Sequence, residues 1–189
     1  MVESGNTTID VVDVDAPTLL QGCDQGIFEK IDWSKIGPKE EWIAGTTSDC
    51  GVGTIVHSTS LAYNAATLKD GPTSLADLFD TTKFPGKRGL WKNPATNLEF
   101  ALMADGVAAD KVYETLSTPE GLDRAFAKLD TIKANIVWWE AGAQAPQLLA
   151  SGEVTMTTAW NGRIHNANKE GQNFKIMWAN QILDTNFWA

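Results

Sequence analysis

The run Trp138–Arg163, WWEAGAQAPQLLASGEVTMTTAWNGR, constrains the fold more than any other part of the chain. Ile136–Trp139 is apolar, with β-branched and aromatic residues that suit a strand, and Gly142-Ala143 breaks it. Gln144–Ser151 predicts a short helix with Pro146 in its first turn, where a missing N–H costs little. Gly152 ends that helix. Val154–Ala159 alternates and is rich in Thr, which predicts a second strand, and Trp160-Asn161-Gly162 then turns the chain. In an open α/β sheet, ligands bind beyond the carboxyl ends of strands. Trp160 is therefore an aromatic plate where a ligand would sit; the alternative is a core tryptophan.

The rest of the chain repeats this alternation. Asp10–Val14 predicts a short strand, and Ala16–Gln21 a helical turn begun by Pro17 with Asp15 as its N-cap. Gly37–Thr47 reads as loop and Gly51–Asn64 as β-rich. Ser74–Phe79 predicts a short helix with Ser74 and Asp77 spaced as in a capping box. A strand near Trp91 follows the Pro85-Gly86 turn. Asn93–Asp105 and Ala108–Leu116 then read as helices. Thr118-Pro119-Glu120 opens a further helix whose Leu122, Ala125, Phe126, Leu129 and Ile132 share one face. Arg163–Lys169 reads as helix, and Phe174–Trp178 and Ile182–Trp188 as two strands. Strands alternating with helices predict an α/β fold with a mostly parallel sheet covered by helices.

An excess of 24 Asp and Glu over 15 Lys and Arg, net −9, argues against nucleic acid and suits a cationic solute. No stretch reaches the roughly 20 apolar residues of a membrane span. The start, MVESGNTT, carries no basic-then-apolar export segment. Catalysis finds no motif: there is no G-x-S-x-G, H-E-x-x-H or C-x-x-C, and His57 and His165 are far apart without a nucleophile motif. The expectation is a protein that is not an enzyme, with no cofactor and no metal.

The run A-P-Q-L-L-A-S-G-E-V followed by a strand ending W-N-G resembles the solute-binding proteins of ABC transporters, above all their polyamine (spermidine/putrescine) branch. Asp10–Ser34, Phe84–Asn93 and Leu183–Ala189 resemble the same family. The resemblance implies a type 2 periplasmic-binding-protein-like lobe with a first-lobe remnant. Residues 1–50 would be the remnant and linker, and 51–189 the second lobe with both interlobe crossing strands. It further implies a truncated piece, about half of a member, whose full-length relative works in the periplasm, closes two lobes around a solute and delivers it to an ABC permease. An oxidising compartment favours a Cys23–Cys50 disulfide; two free thiols are the alternative.

Carried over residue by residue, Trp160 matches the family's stacking tryptophan and Asp15 the polar residue after its first strand. His57 lies in the first crossing segment and Glu140 at a strand end. Asn186 stands where the polyamine branch has an acid, and Arg163 follows W-N-G where some relatives carry an acid or a small residue. A neutral amide cannot neutralise an ammonium, so weak polyamine binding is expected. The alternative function is a lobe that folds and self-associates without binding a solute. Strands 10–14 and 182–188, short of their full-length neighbours, predict homo-oligomers by strand pairing.

Overall fold

The computed structural model describes residues 7–189; the MVESGN start lies outside the described residues. In chain order the elements are β1 (Asp13–Asp15), α1 (Ala16–Asp24), α2 (Trp33–Ile36), β2 (Val52–Asn64), α3 (Ala76–Phe79), β3 (Arg88–Trp91), α4 (Asn97–Ala104), α5 (Val112–Leu116), α6 (Pro119–Asp130), β4 (Ile136–Trp139), α7 (Gln144–Ala150), β5 (Met156–Trp160), α8 (Asn161–Lys169) and β6 (Phe174–Trp188). The chain divides into two units, Ser58–Ile182 and the residues up to His57 together with Leu183–Ala189, so β2 and β6 each contribute to both.

In the unit Ser58–Ile182 the strand order is β6-β2-β5-β3-β4. β3 is parallel to β4 and β5, whereas β2 is antiparallel to β5, pairing Thr59 with Trp160 and Tyr63 with Met156. The sheet is thus mixed and not mostly parallel. β2 reaches it as a strand begun in the other unit, without the βα crossover that enforces a parallel direction. Both faces are covered: Leu61 packs with Leu90, Phe100 and Met177, and its neighbour Ala62 packs with Trp139, Leu149 and Ile164.

Local chemistry shifts several boundaries. The two strands expected at 174–188 are one, and the polar Ala179-Asn180-Gln181 marks only a local kink, with Asn180 at φ 58°. The helix expected from Asn93 starts at Asn97, because Pro94 and Thr96, at φ 67°, keep the preceding turn non-helical. The turn expected at Trp160-Asn161-Gly162 is already helix: α8 follows β5 directly. α6 begins as its sequence says, with Gly121 N–H donating to the Thr118 hydroxyl at 3.1 Å. Its face differs: Ala125 and Ile132 are buried, while Leu122 and Phe126 are exposed. Gly121 sits so close to the Thr115 carbonyl that a Cβ would overlap it, so the helix seats through its small residues.

Two charged side chains tie the segment before β3. Arg88, fully buried, donates from Nε to the Leu78 carbonyl (2.8 Å), from Nη1 to Gly86 (2.9 Å) and from Nη2 to Asp80 (3.0 Å) and Phe84 (2.6 Å). Asp77 accepts from the N–H groups of Thr73 (2.7 Å) and Ser74 (3.2 Å), the box reading realised, and from Lys83 Nζ (2.8 Å).

In the other unit, β1 pairs with the end of β6: Asp13 with Trp188, Val14 with Phe187, Asp15 with Asn186. The two segments expected to lack neighbours therefore supply each other's, and Phe187 is buried beside Leu19 and Cys50. Only Trp188 keeps an exposed ring. Cys23 and Cys50 form a disulfide, with 5.7 Å between their Cα atoms. The loop it closes holds little regular structure besides α2 and a turn at Lys39–Glu41, so the cross-link limits its freedom.

Candidate functional site

Three adjacent strands of the unit Ser58–Ile182 each end in tryptophan: β3 in Trp91, β4 in Trp139 and β5 in Trp160. β3 lies between the other two, so the three rings meet at the carboxyl edge of the sheet. Trp91 and Trp139 stack, with centroids 6.0 Å apart and planes 20° apart. Trp160 stands edge-on to both, at 5.8 Å from Trp91 and 5.7 Å from Trp139. Such offset and edge-to-face contacts follow the ring quadrupoles and hold the corner rigid. Trp139 is buried, while Trp91 and Trp160 are each half-buried. The corner thus presents parts of two rings and is backed by a third.

The residues that follow each tryptophan frame this corner. Lys92 and Glu140, next after Trp91 and Trp139, form an exposed ion pair at 2.7 Å. Their hydrogen bond and mutual attraction lower the Glu140 carboxyl pKa and raise that of the Lys92 ammonium. Gln144 Oε1 accepts from the N–H groups of Glu140 and Ala141, both at 2.8 Å, which fixes the turn into α7. Asn161, next after Trp160, accepts from the Ser58 N–H of β2 at 3.2 Å. Asn97 Nδ2 donates to the carbonyls of Trp91 (2.6 Å) and Asn93 (2.8 Å), while its Oδ1 is buried without a hydrogen-bond partner. Thr96 beside it combines a positive φ with a buried, unpaired hydroxyl. Backbone strain of this kind concentrates at functional loops.

Of the residues singled out from sequence, Trp160 and Glu140 lie at this strand-end edge. Arg163 is exposed in the first turn of α8. Asp15 and Asn186 lie in the other unit, where they are register partners. Asp15 caps α1, accepting from Thr18 N–H at 2.9 Å, and Asn186 donates to the Asp13 carboxylate at 2.7 Å. His57, also in that unit, is half-buried. Trp91 and Trp139 were missed as partners of Trp160. Their signal was available, since each closes a predicted strand as Trp160 does. What the sequence lacks is the order of the strands that makes three separate endings one corner.

Chemically, a tryptophan corner takes alkyl chains and cationic groups on its faces. Among the described residues, no group of three or more His, Cys, Asp or Glu gathers to hold a metal ion. No helix among them is long and apolar enough to cross a membrane.

Comparison with known proteins agrees with the fold. The whole chain, residues 1–189, matches the family model of bacterial extracellular solute-binding proteins. It is 50% identical over its full length to a gamma-aminobutyric acid-binding protein of Pseudomonas aeruginosa, and spans 54% of that relative. It superposes on the PBP MotA from A. tumefaciens B6, solved in complex with glucopine, with a TM-score of 0.91 and 40% identity. On a solved GABA receptor structure the values are 0.90 and 42%. All of this chain is covered in both cases, against 58% and 57% of those chains. A spermidine/putrescine binding protein from Streptococcus pneumoniae matches at a TM-score of 0.73 and 16% identity, a likeness of fold alone. The chain spans about half the length of the curated relative it matches. By its sequence along its whole length, it belongs to the bacterial extracellular solute-binding proteins.

Proposed function

We propose that this chain is the solute-facing part of an ABC importer's binding protein, and that its solute is a small amino acid of the gamma-aminobutyrate type. The observation that carries the reading is the Trp91–Trp139–Trp160 corner at three neighbouring strand ends. A short methylene chain lies on such faces, and an ammonium at its end is drawn to them. The 50% identity to a gamma-aminobutyric acid-binding protein supports the same solute class.

The charges around the corner favour a zwitterion over a polyamine. A dication needs a carboxylate at each end, but Glu140 is engaged by Lys92 and the acid expected at 186 is an amide. The cations Lys92 and Arg163, unhelpful to a polyamine, suit a solute that also carries a carboxylate. The test is calorimetric titration with gamma-aminobutyrate, an opine and putrescine. Gamma-aminobutyrate should bind at least about tenfold tighter than putrescine, roughly 1.4 kcal/mol. Trp160→Ala should weaken it by a similar factor. Tighter binding of putrescine, or binding untouched by Trp160→Ala, would refute the reading. No binding of any of the three would favour a lobe that folds without a solute.

A further inference from the structure

Within the unit Ser58–Ile182, β6 is the edge strand, with β2 on its inner side. The direction of its backbone groups follows from two contacts. The Asn173 carbonyl accepts from Ala65 N–H at the end of β2, so residue 173 faces inward. The next residue, Phe174, faces outward: its N–H donates to Asn168 Oδ1 at 2.8 Å and its carbonyl accepts from Asn168 Nδ2 at 2.9 Å. Backbone groups alternate along a strand, so Ile176 and Trp178 also turn their N–H and C=O outward. The edge is capped at Phe174 by the Asn168 amide and kinked at Asn180. Between them lies a short open ladder.

The same three residues, Phe174, Ile176 and Trp178, line one wall of a groove of about 570 Å³ whose other wall is α8, through His165, Asn166 and Asn168. Phe174 is buried, Ile176 half-buried and Trp178 exposed, so the floor is apolar and the rim aromatic. An open strand edge beside a helix is the geometry that takes an extended peptide by strand addition: main-chain hydrogen bonds hold it, and the groove reads alternate side chains. The charge of the rim names its chemistry. In a chain of net −9, Asn161–Ile182 carries Arg163, Lys169 and Lys175 against Glu170 alone. All three cations are exposed.

We propose that this groove binds an extended, acidic polypeptide segment of a protein partner, added as a strand along Ile176–Trp178. This site is separate from the tryptophan corner and stands whatever solute that corner takes.

The probe is a synthetic hexapeptide, acetyl-EVTVEV-amide, followed by backbone amide NMR of the isotopically labelled chain. Its controls are the basic counterpart, acetyl-KVTVKV-amide, and an acidic peptide N-methylated on its central valine and threonine. The acidic peptide should shift the amides of Ile176 and Trp178 and slow their exchange. It should bind at least about tenfold tighter than the basic one at low salt and lose that advantage at high salt. N-methylation should abolish binding, and Lys169→Glu with Lys175→Glu should invert the charge preference. Trp178→Pro, which removes one outward N–H from an edge strand, should also block it. Equal binding of the basic or N-methylated peptide, or unmoved resonances at 174–178, would overturn the proposal. So would a dimer formed through this edge and abolished by Trp178→Pro, which would assign the edge to a second copy.

Discussion

Trp160 lies flat against Gly142: a Cβ added at residue 142 would overlap the six-membered ring. The ring cannot simply swing aside, because Trp91 and Trp139 flank it at 5.8 and 5.7 Å. Gly142→Ala should therefore push Trp160 out of place and cost about 1–3 kcal/mol, as overpacking does. Thermal unfolding and the near-ultraviolet circular dichroism of the tryptophans report both effects. An unchanged melting temperature and spectrum would mean that the corner is looser than its geometry.

Arg88 gives its guanidinium to four backbone carbonyls and to no carboxylate in direct contact. Burial lowers its pKa, with Asp80 acting in the opposite direction. Arg88→Met keeps the volume and removes every donor. Leaving several buried carbonyls unpaired should cost at least about 3 kcal/mol. Lys should rescue little, since an ammonium cannot reproduce the planar fork. Chemical denaturation of the two variants checks the order.

The disulfide joins residues 27 apart in sequence. In the chain-entropy model, a loop of that size contributes about 3.5 kcal/mol. Unreduced, denatured protein should titrate with no free thiol, and the double Cys23→Ser, Cys50→Ser variant should unfold earlier by that order. Two titratable thiols in unreduced protein would contradict it.

Partial burial tends to raise the pKa of Asp77, but Lys83 and the N–H groups of Thr73 and Ser74 outweigh it and hold the carboxyl below its ordinary value of 3.8. A carboxyl depressed by folding stabilises above its ordinary pKa, and that stability is lost as pH falls through the lower folded value. Asp77→Asn should cost about 1.5–3 kcal/mol at neutral pH, in line with charged hydrogen bonds. The gap between the two proteins should close as pH drops below 3.8. A gap that stays constant down to pH 2 would show that the charge plays no part.

Much of the fold was legible because local signals agreed with it. Thr118-Pro119 starts α6, Asp15 caps α1, and Trp160 ends its strand as its Thr-rich alternation suggested. What escaped depends on contacts distant in sequence. The antiparallel β2 cannot be seen in a βα pattern, because its direction comes from the other unit. Phe187 read as uncovered because nothing local announces Leu19 and Cys50 as its neighbours. Glu140 read as a free acid because its partner, Lys92, belongs to another strand end. Side-chain pairs across strand ends are set by sheet order, which no single stretch of sequence contains.

The pairing of Asp13 with Trp188 sets an order of assembly. Everything that Ser58–Ile182 needs is continuous in sequence, so this unit is complete once Ile182 leaves the ribosome. β1 is made long before and must wait for residues 186–188. Contacts of such separation form slowly, and continuous domains fold as units. Until then, only the far shorter loop between Cys23 and Cys50 is available to hold the early residues together. Synthesis thus finishes the inserted unit first and leaves the split one to close around the earliest strand.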